Sequence, residues 1–176
     1  MLKDIQGRVA WVFEEENYDI DLIVGIDNIK ITDIEKLKAV CMTDYDSNFP
    51  NDVKTGDILV GGRNFGYGHP HFPSFKALRA LGIAAVFAES FSPGFYKGEI
   101  GNGFPLIECP GILNAAKRWD NLSFDWDTET VVINKQVSLK CHKIPQRSRD
   151  LIEFGGLIPY LKEKRLKVPP SERGLG

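Results

Sequence analysis

Cysteine is scarce in this sequence: Cys41, Cys109 and Cys141 are the only three in 176 residues, and they lie far apart. No Cys-x-x-Cys pair occurs. That excludes a cysteine-rich zinc motif and a self-contained iron–sulfur site, both of which need closely grouped thiolates. An odd, sparse count also fits a reducing cytoplasm better than a disulfide-stapled secreted scaffold. Long hydrophobic runs are missing too. None approaches the roughly 18 residues of a membrane span, and Met1 to Phe13 meets acidic residues too early for the apolar core of a signal peptide. Charge of one sign is the third absence, since 22 Lys and Arg against 24 Asp and Glu leave a net −2. The basic footprint of a nucleic-acid partner is therefore absent, and the Lys162–Lys167 stretch reads as a solvated helix end. Neither a complete dinucleotide fingerprint nor a Gly-Lys-Ser/Thr phosphate loop appears. The expectation is a soluble, cytoplasmic protein.

What is present is ordinary globular composition, 43% apolar and 26% charged, at a length suited to one domain. Such a chain should bury about 70% of its unfolded surface, enough for a core without metal or disulfide staples. Residues 7–13 read as a strand and 19–24 as a short extended segment. Thr32 and Glu35 have capping-box spacing ahead of a helix over about 33–42, and 48–57 reads as loop. The centre is most informative: a buried strand (57–62), a glycine-bearing loop (63–71), a helix (73–81) that Pro73 starts and Gly82 ends, and a second buried strand (83–88). This β-loop-α-β order predicts parallel strands with a right-handed crossover. A short helix (93–100), a strand (104–108), an antiparallel meander (122–126, 131–133, 137–140) and a closing helix (147–154) follow. The sum is a single mixed α/β domain over 1–167 with a frayed tail at 168–176.

Ligands of such a unit bind at the carboxyl ends of its parallel strands, where the loop after Gly62 lies. A helix starting near Phe72 turns free amides and a positive dipole end toward that spot, which suits a carboxylate or phosphate. The plain alternative is a tight turn whose glycines serve backbone geometry alone. His69 and His71 are two of three histidines in the chain; such a side chain acts as acid or base, ligates a metal, or sits exposed without a task. No acidic third ligand is near in sequence, so a metal site in this loop is not expected. Asp19 and Asp21, alternating along an extended segment, would face one side. Arg63, Asn64 and Tyr67 are loop candidates, and Ser74 has no partners for a nucleophile.

Several stretches, in order, carry a resemblance: Gly7-Arg8-Val9, Asp19-Ile20-Asp21-Leu22-Ile23, the run Gly56 to Gly66, the run Gly82 to Phe91, Gly103 to Cys109, and Gly155-Gly156-Leu157-Ile158-Pro159-Tyr160-Leu161. Over about residues 7–165 the chain resembles the small subunit of 3-isopropylmalate dehydratase, in the aconitase superfamily. The resemblance implies a swivelling β/β/α domain and a separate large subunit carrying a [4Fe–4S] cluster, with no cofactor or metal on this chain. It implies a hydro-lyase that removes and re-adds water on a small hydroxy acid.

The family loop reads Gly-Cys-Gly-Ser-Ser-Arg-Glu-His, its first serine the base and its arginine a carboxylate ligand. Here Gly66 and Gly68 keep the glycines, His69 stands at the first serine, Pro70 at the second, His71 at the arginine, and Phe72-Pro73 at Glu-His. Upstream, Asp19-Ile20-Asp21 replaces Asp-Thr-Asp, and Asp27-Asn28-Ile29 stands where the family often has Arg-Tyr-Leu. The loss of two arginines removes a planar clamp on carboxylate. The expectation is a catalytic pair, with His69 as the base ahead of His71 and the other histidine contacting substrate, and with Asn64, Gly66, Tyr67, Gly68, Asp19, Asp21 and Asp27 around the substrate. The alternative is a non-catalytic swivelling domain that binds or regulates a partner.

Overall fold

In the computed structural model residues 2–68 and 71–167 are described; the tail expected over 168–176 lies outside them. Two kinds of strand build one sheet. The apolar runs β2 (Ile58–Gly61) and β3 (Ala85–Ala88) are buried at every residue, as strands covered on both faces must be. By contrast, β5 (Asn121–Asp125) and β6 (Thr130–Ile133) alternate buried and more exposed residues, the mark of one wetted face. The nine-residue β1 (Ile5–Phe13) joins the halves, pairing parallel with β2 and antiparallel with β5. With β4 (Leu106–Glu108) and β7 (Val137–Lys140) the order is β4-β3-β2-β1-β5-β6-β7. The expected parallel β2–β3 pair and antiparallel meander are both present. Beyond β7, the His142 N–H donates to the Glu108 carbonyl (2.8 Å) and its ring Nδ1 meets Glu108 Oε2 at 3.1 Å. The chain leaving one edge strand is thus tied to the other, and the mixed sheet curls.

Alternate residues of β2 and β3 divide between two cores. Leu59, Val86 and Ala88 pack with Phe75, Leu78, Phe95 and Ile100 of the helices. Ile58, Val60, Ala85 and Phe87 pack with Leu122, Phe124, Trp126 and Val131 of the meander. The helices are α1 (Ile34–Val40), α2 (Phe49–Asp52), α3 (Phe72–Ala80), α4 (Pro93–Gly101), α5 (Ile112–Ala115), α6 (Gln146–Glu153) and α7 (Leu157–Lys167).

Local chemistry corrects several expectations. Residues 19–24 do not extend as a strand: Asp19 accepts the Asp21 N–H at 2.9 Å and starts a 3₁₀ turn, Ile20–Ile23, because a short carboxylate offers the backbone a local partner. Asp33, not Thr32, caps α1, accepting the Glu35 and Lys36 N–H groups. Part of the loop expected over 48–57 is helical, α2, which sinks Phe49 into the core. α5 and most of α7 carry no clear periodic signal and were not expected.

Candidate active site

The loop after β2 is anchored before it reaches its histidines. Phe65 is fully buried, its ring against those of Phe13, Tyr18, Phe91 and Phe95 at centroid separations of 5.3 to 6.3 Å. That burial contributes about 1.5–3 kcal/mol, enough to offset the ordering of only one or two residues at about 1–2 kcal/mol each. Hydrogen bonds fix the rest. The Gly66 and Tyr67 N–H groups donate to the Tyr18 carbonyl at 3.0 and 3.1 Å, and Phe65 N–H donates to the Ser90 carbonyl at 3.0 Å. Gly66 is required: its φ is +82° and an added Cβ would lie 2.3 Å from the Phe95 ring.

This framework brings Asp21 and His71 together. Asp21 is buried; its Oδ1 accepts the His71 backbone N–H at 3.0 Å and its Oδ2 meets His71 Nδ1 at 2.5 Å. The His71 side chain is 47% exposed. His71 is also the N-cap of α3 and makes no side-chain capping bond there. The capping amide expected to await an external anion is therefore turned to the protein's own carboxylate, which also suits the positive end of the helix. Asp19 stands beside the loop as well, its Oδ2 3.3 Å from where a Cβ on Gly68 would sit. Both carboxylates do face the loop, through a 3₁₀ turn rather than strand alternation.

The other candidates divide. Tyr67 is 54% exposed, its backbone bridged to Asp19. Asn64 is a loop-building residue: it holds φ +54°, its N–H donates to Ser90 Oγ (2.9 Å), and its amide donates to Asn17 Oδ1 (2.7 Å). Asp27 lies exposed in a separate 3₁₀ turn, Ile26–Asn28, with no hydrogen bond to the loop among the described residues. His69 lies outside the described residues. Among the described residues no group of three His, Cys, Asp or Glu side chains is placed to hold a metal ion.

Beside His71 opens a cavity of about 140 Å³, lined by Ile20, Phe75, Phe95, Glu99 and Asn102 with the bare backbone of Gly94 and Gly98. Glu99 is buried and ion-paired with Arg79, whose guanidinium lies 5.5 Å from the ring centres of Phe75 and Phe104. Burial pushes the Arg79 guanidinium down from its ordinary range. Sequence reasoning missed this charged pair. The available signal was Glu99 four residues after Phe95, a charge on the buried face of a helix.

No protein-family model matches the chain. It is 41% identical over 161 residues to the isopropylmalate/citramalate isomerase small subunit of Methanocaldococcus jannaschii, covering 91% of this chain and 95% of that one. The chain belongs to the 3-isopropylmalate dehydratase small-subunit family. A second family member, the 3-isopropylmalate dehydratase small subunit of Caldanaerobacter subterraneus subsp. tengcongensis, is 35% identical over 85% of this chain and 93% of its own. The methanogen homoaconitase small subunit of M. jannaschii is 37% identical over 92% of this chain and 94% of its own. The family fold extends to a crystal structure of 3-isopropylmalate dehydratase from M. jannaschii, with TM-score 0.83 and 34% identity over 98% of this chain and 100% of that one.

Proposed function

We propose that this chain is the small subunit of an aconitase-superfamily hydro-lyase, in which residues 1–167 act as one swivelling domain on a separate large subunit and the chain alone is inactive. The names of its relatives support a small hydroxy acid as substrate and a large subunit as partner. The iron–sulfur cluster belongs to that partner in this reading. The three thiols here are buried, Cys41 in one core and Cys109 and Cys141 in the other, so they form no ligand set. Bound on the large subunit, the cluster supplies a Lewis acid that polarises the departing hydroxyl. Reduced thiols also fit a cytoplasmic setting.

The observation that carries the catalytic reading is the Asp21–His71 pair. A carboxylate accepting from Nδ1–H fixes the ring and its tautomer, so that Nε2 holds the lone pair. His71 then accepts the proton from the carbon next to a substrate carboxylate on dehydration and returns it on hydration. His69, on the same loop, contacts the substrate in this reading, with Gly66, Tyr67, Gly68 and Asp19 as the loop surface around it. The engagement of the His71 N–H by Asp21 at the start of α3 and an aspartate at position 27 in place of arginine favour a substrate with fewer carboxylates, or one carrying a donor or positive group.

The test is anaerobic co-purification of the chain from its own organism's lysate, followed by hydration assays on hydroxy acids. A stoichiometric large subunit with iron–sulfur absorbance, and activity lost in His71→Gln and His69→Gln, is the expected result. A partner without a cluster, or full activity in both variants, would overturn the catalytic reading in favour of a binding or regulatory domain.

A further inference from the structure

A cavity larger than the one beside His71 lies away from the histidine loop. It is a groove of about 810 Å³ where the chain enters β2, walled by the Lys54–Asp57 turn, the start of β1 and the β5–β6 ribbon. The loop bearing His71 leaves the opposite end of β2, and four residues at about 3.3 Å each separate the two by roughly 13 Å of strand.

The groove is built rather than incidental. At Gly7 an added Cβ would lie 2.0 Å from the Gly56 carbonyl oxygen, so two glycine backbones are pressed together at its base. Arg8 is held in one orientation: Nε donates to Asp57 Oδ1 at 3.0 Å, Nη2 donates to Asp57 Oδ2 at 2.7 Å and to the Asp52 carbonyl at 3.2 Å. Its guanidinium also lies 4.8 Å from the Trp119 ring centre. Trp119 itself adopts φ +73°, a conformation costly for a bulky side chain and retained only where surrounding structure demands it.

The charge balance selects the ligand. Asp57 is the one acid lining the groove, and Arg8 together with the Lys54 N–H (2.8 Å) occupies its oxygens. Lys54 and Lys135 both line the groove and have no ion-pair partner among the described residues, nor do the Gln6 and Asn121 amide side chains have a hydrogen-bond partner there. The unspent groups are thus two ammonium charges flanked by amides that can donate. We propose that this groove is a second ligand site, separate from the His71 site, for a small and multiply charged oxyanion of metabolite size, a phosphate ester or a polycarboxylate. Lysines bind such ions as point charges.

The test is an NMR titration of the ¹⁵N-labelled full chain with pyrophosphate and, separately, malonate. Saturable shifts centred on Gly7, Gly56 and Asn121 are expected for at least one probe, with pyrophosphate alone marking the phosphate class and malonate alone the carboxylate class. Lys54→Glu/Lys135→Glu should weaken binding at least about tenfold, whereas His71→Gln should leave it unchanged, so the outcome is independent of the catalytic reading. No saturation up to about 10 mM, where even a millimolar Kd would show, would overturn the proposal. So would unchanged affinity in the double variant, or shifts centred on the 66–71 loop.

Discussion

A carboxylate 2.5 Å from an imidazole nitrogen does two jobs at once, orienting the ring and choosing which nitrogen carries the proton. Asp21→Asn keeps the shape but offers an amide that can accept or donate, so the tautomer is no longer imposed. Asp21 is a positioning residue in the proposed reaction, and its asparagine variant should lower kcat about 10²-fold or more while KM moves little. Steady-state kinetics of the reconstituted complex across pH checks this, because a purely structural role would not reshape the pH profile. Elsewhere one residue contributes to acid stability through an ion pair. The Arg118 guanidinium, 2.6 Å away, and the Asn48 N–H hold the Asp46 carboxyl below its ordinary value. A group depressed in the folded state contributes stability above its unfolded pKa and loses it as pH falls through the folded one. Asp46→Asn should therefore lower the urea midpoint near about pH 6, and the gap to the parent should close toward about pH 2.

At the scale of elements, ends and turns are decided by short-range hydrogen bonds that composition only hints at. The Thr32–Glu35 spacing pointed to a cap one residue early; the carboxylate that closes α1 is Asp33. Asp33→Ala should cost about 1 kcal/mol and lower Tm by about 2–4 °C, with Thr32→Ala close to neutral in the same thermal melt. The loop after β2 shows the same dependence. Its glycines were legible as a loop, but Gly66 is fixed by a ring from α4 and by the Tyr18 carbonyl, both remote in sequence. The 3₁₀ turn at Ile20–Ile23 replaces an expected extended segment for the same reason, since the Asp19 side chain closes on its own backbone.

For the whole molecule, the curled sheet separates two cores, and each thiol is buried in one of them. Burial pushes the Cys41 thiol up to about 12. The hydrogen bond to Cys109, followed by burial, pushes Cys141 up as well. A chromogenic disulfide reagent should thus label none of the three in the folded chain near neutral pH and all three in denaturant. Labelling of the native protein within minutes would mean that one core opens far more readily than its packing implies.

The sequence alone determined the α/β class, the parallel pair flanking a helix, the meander, and a glycine loop that bears two histidines in its own run of sequence, because hydrophobic period, turn residues and motif order are local properties of the chain. The tertiary structure decided that Asp21 spends its carboxylate on His71 and the start of α3. It paired Glu99 with Arg79 behind the adjoining cavity, removed Asn64 and Asp27 from the pair's immediate contacts, and gathered Lys54, Lys135 and Arg8 around a groove at the other end of β2. Those facts depend on which distant segments meet. Asp21 and His71 are fifty residues apart, and no period or spacing encodes a contact made only when separate elements pack onto one sheet.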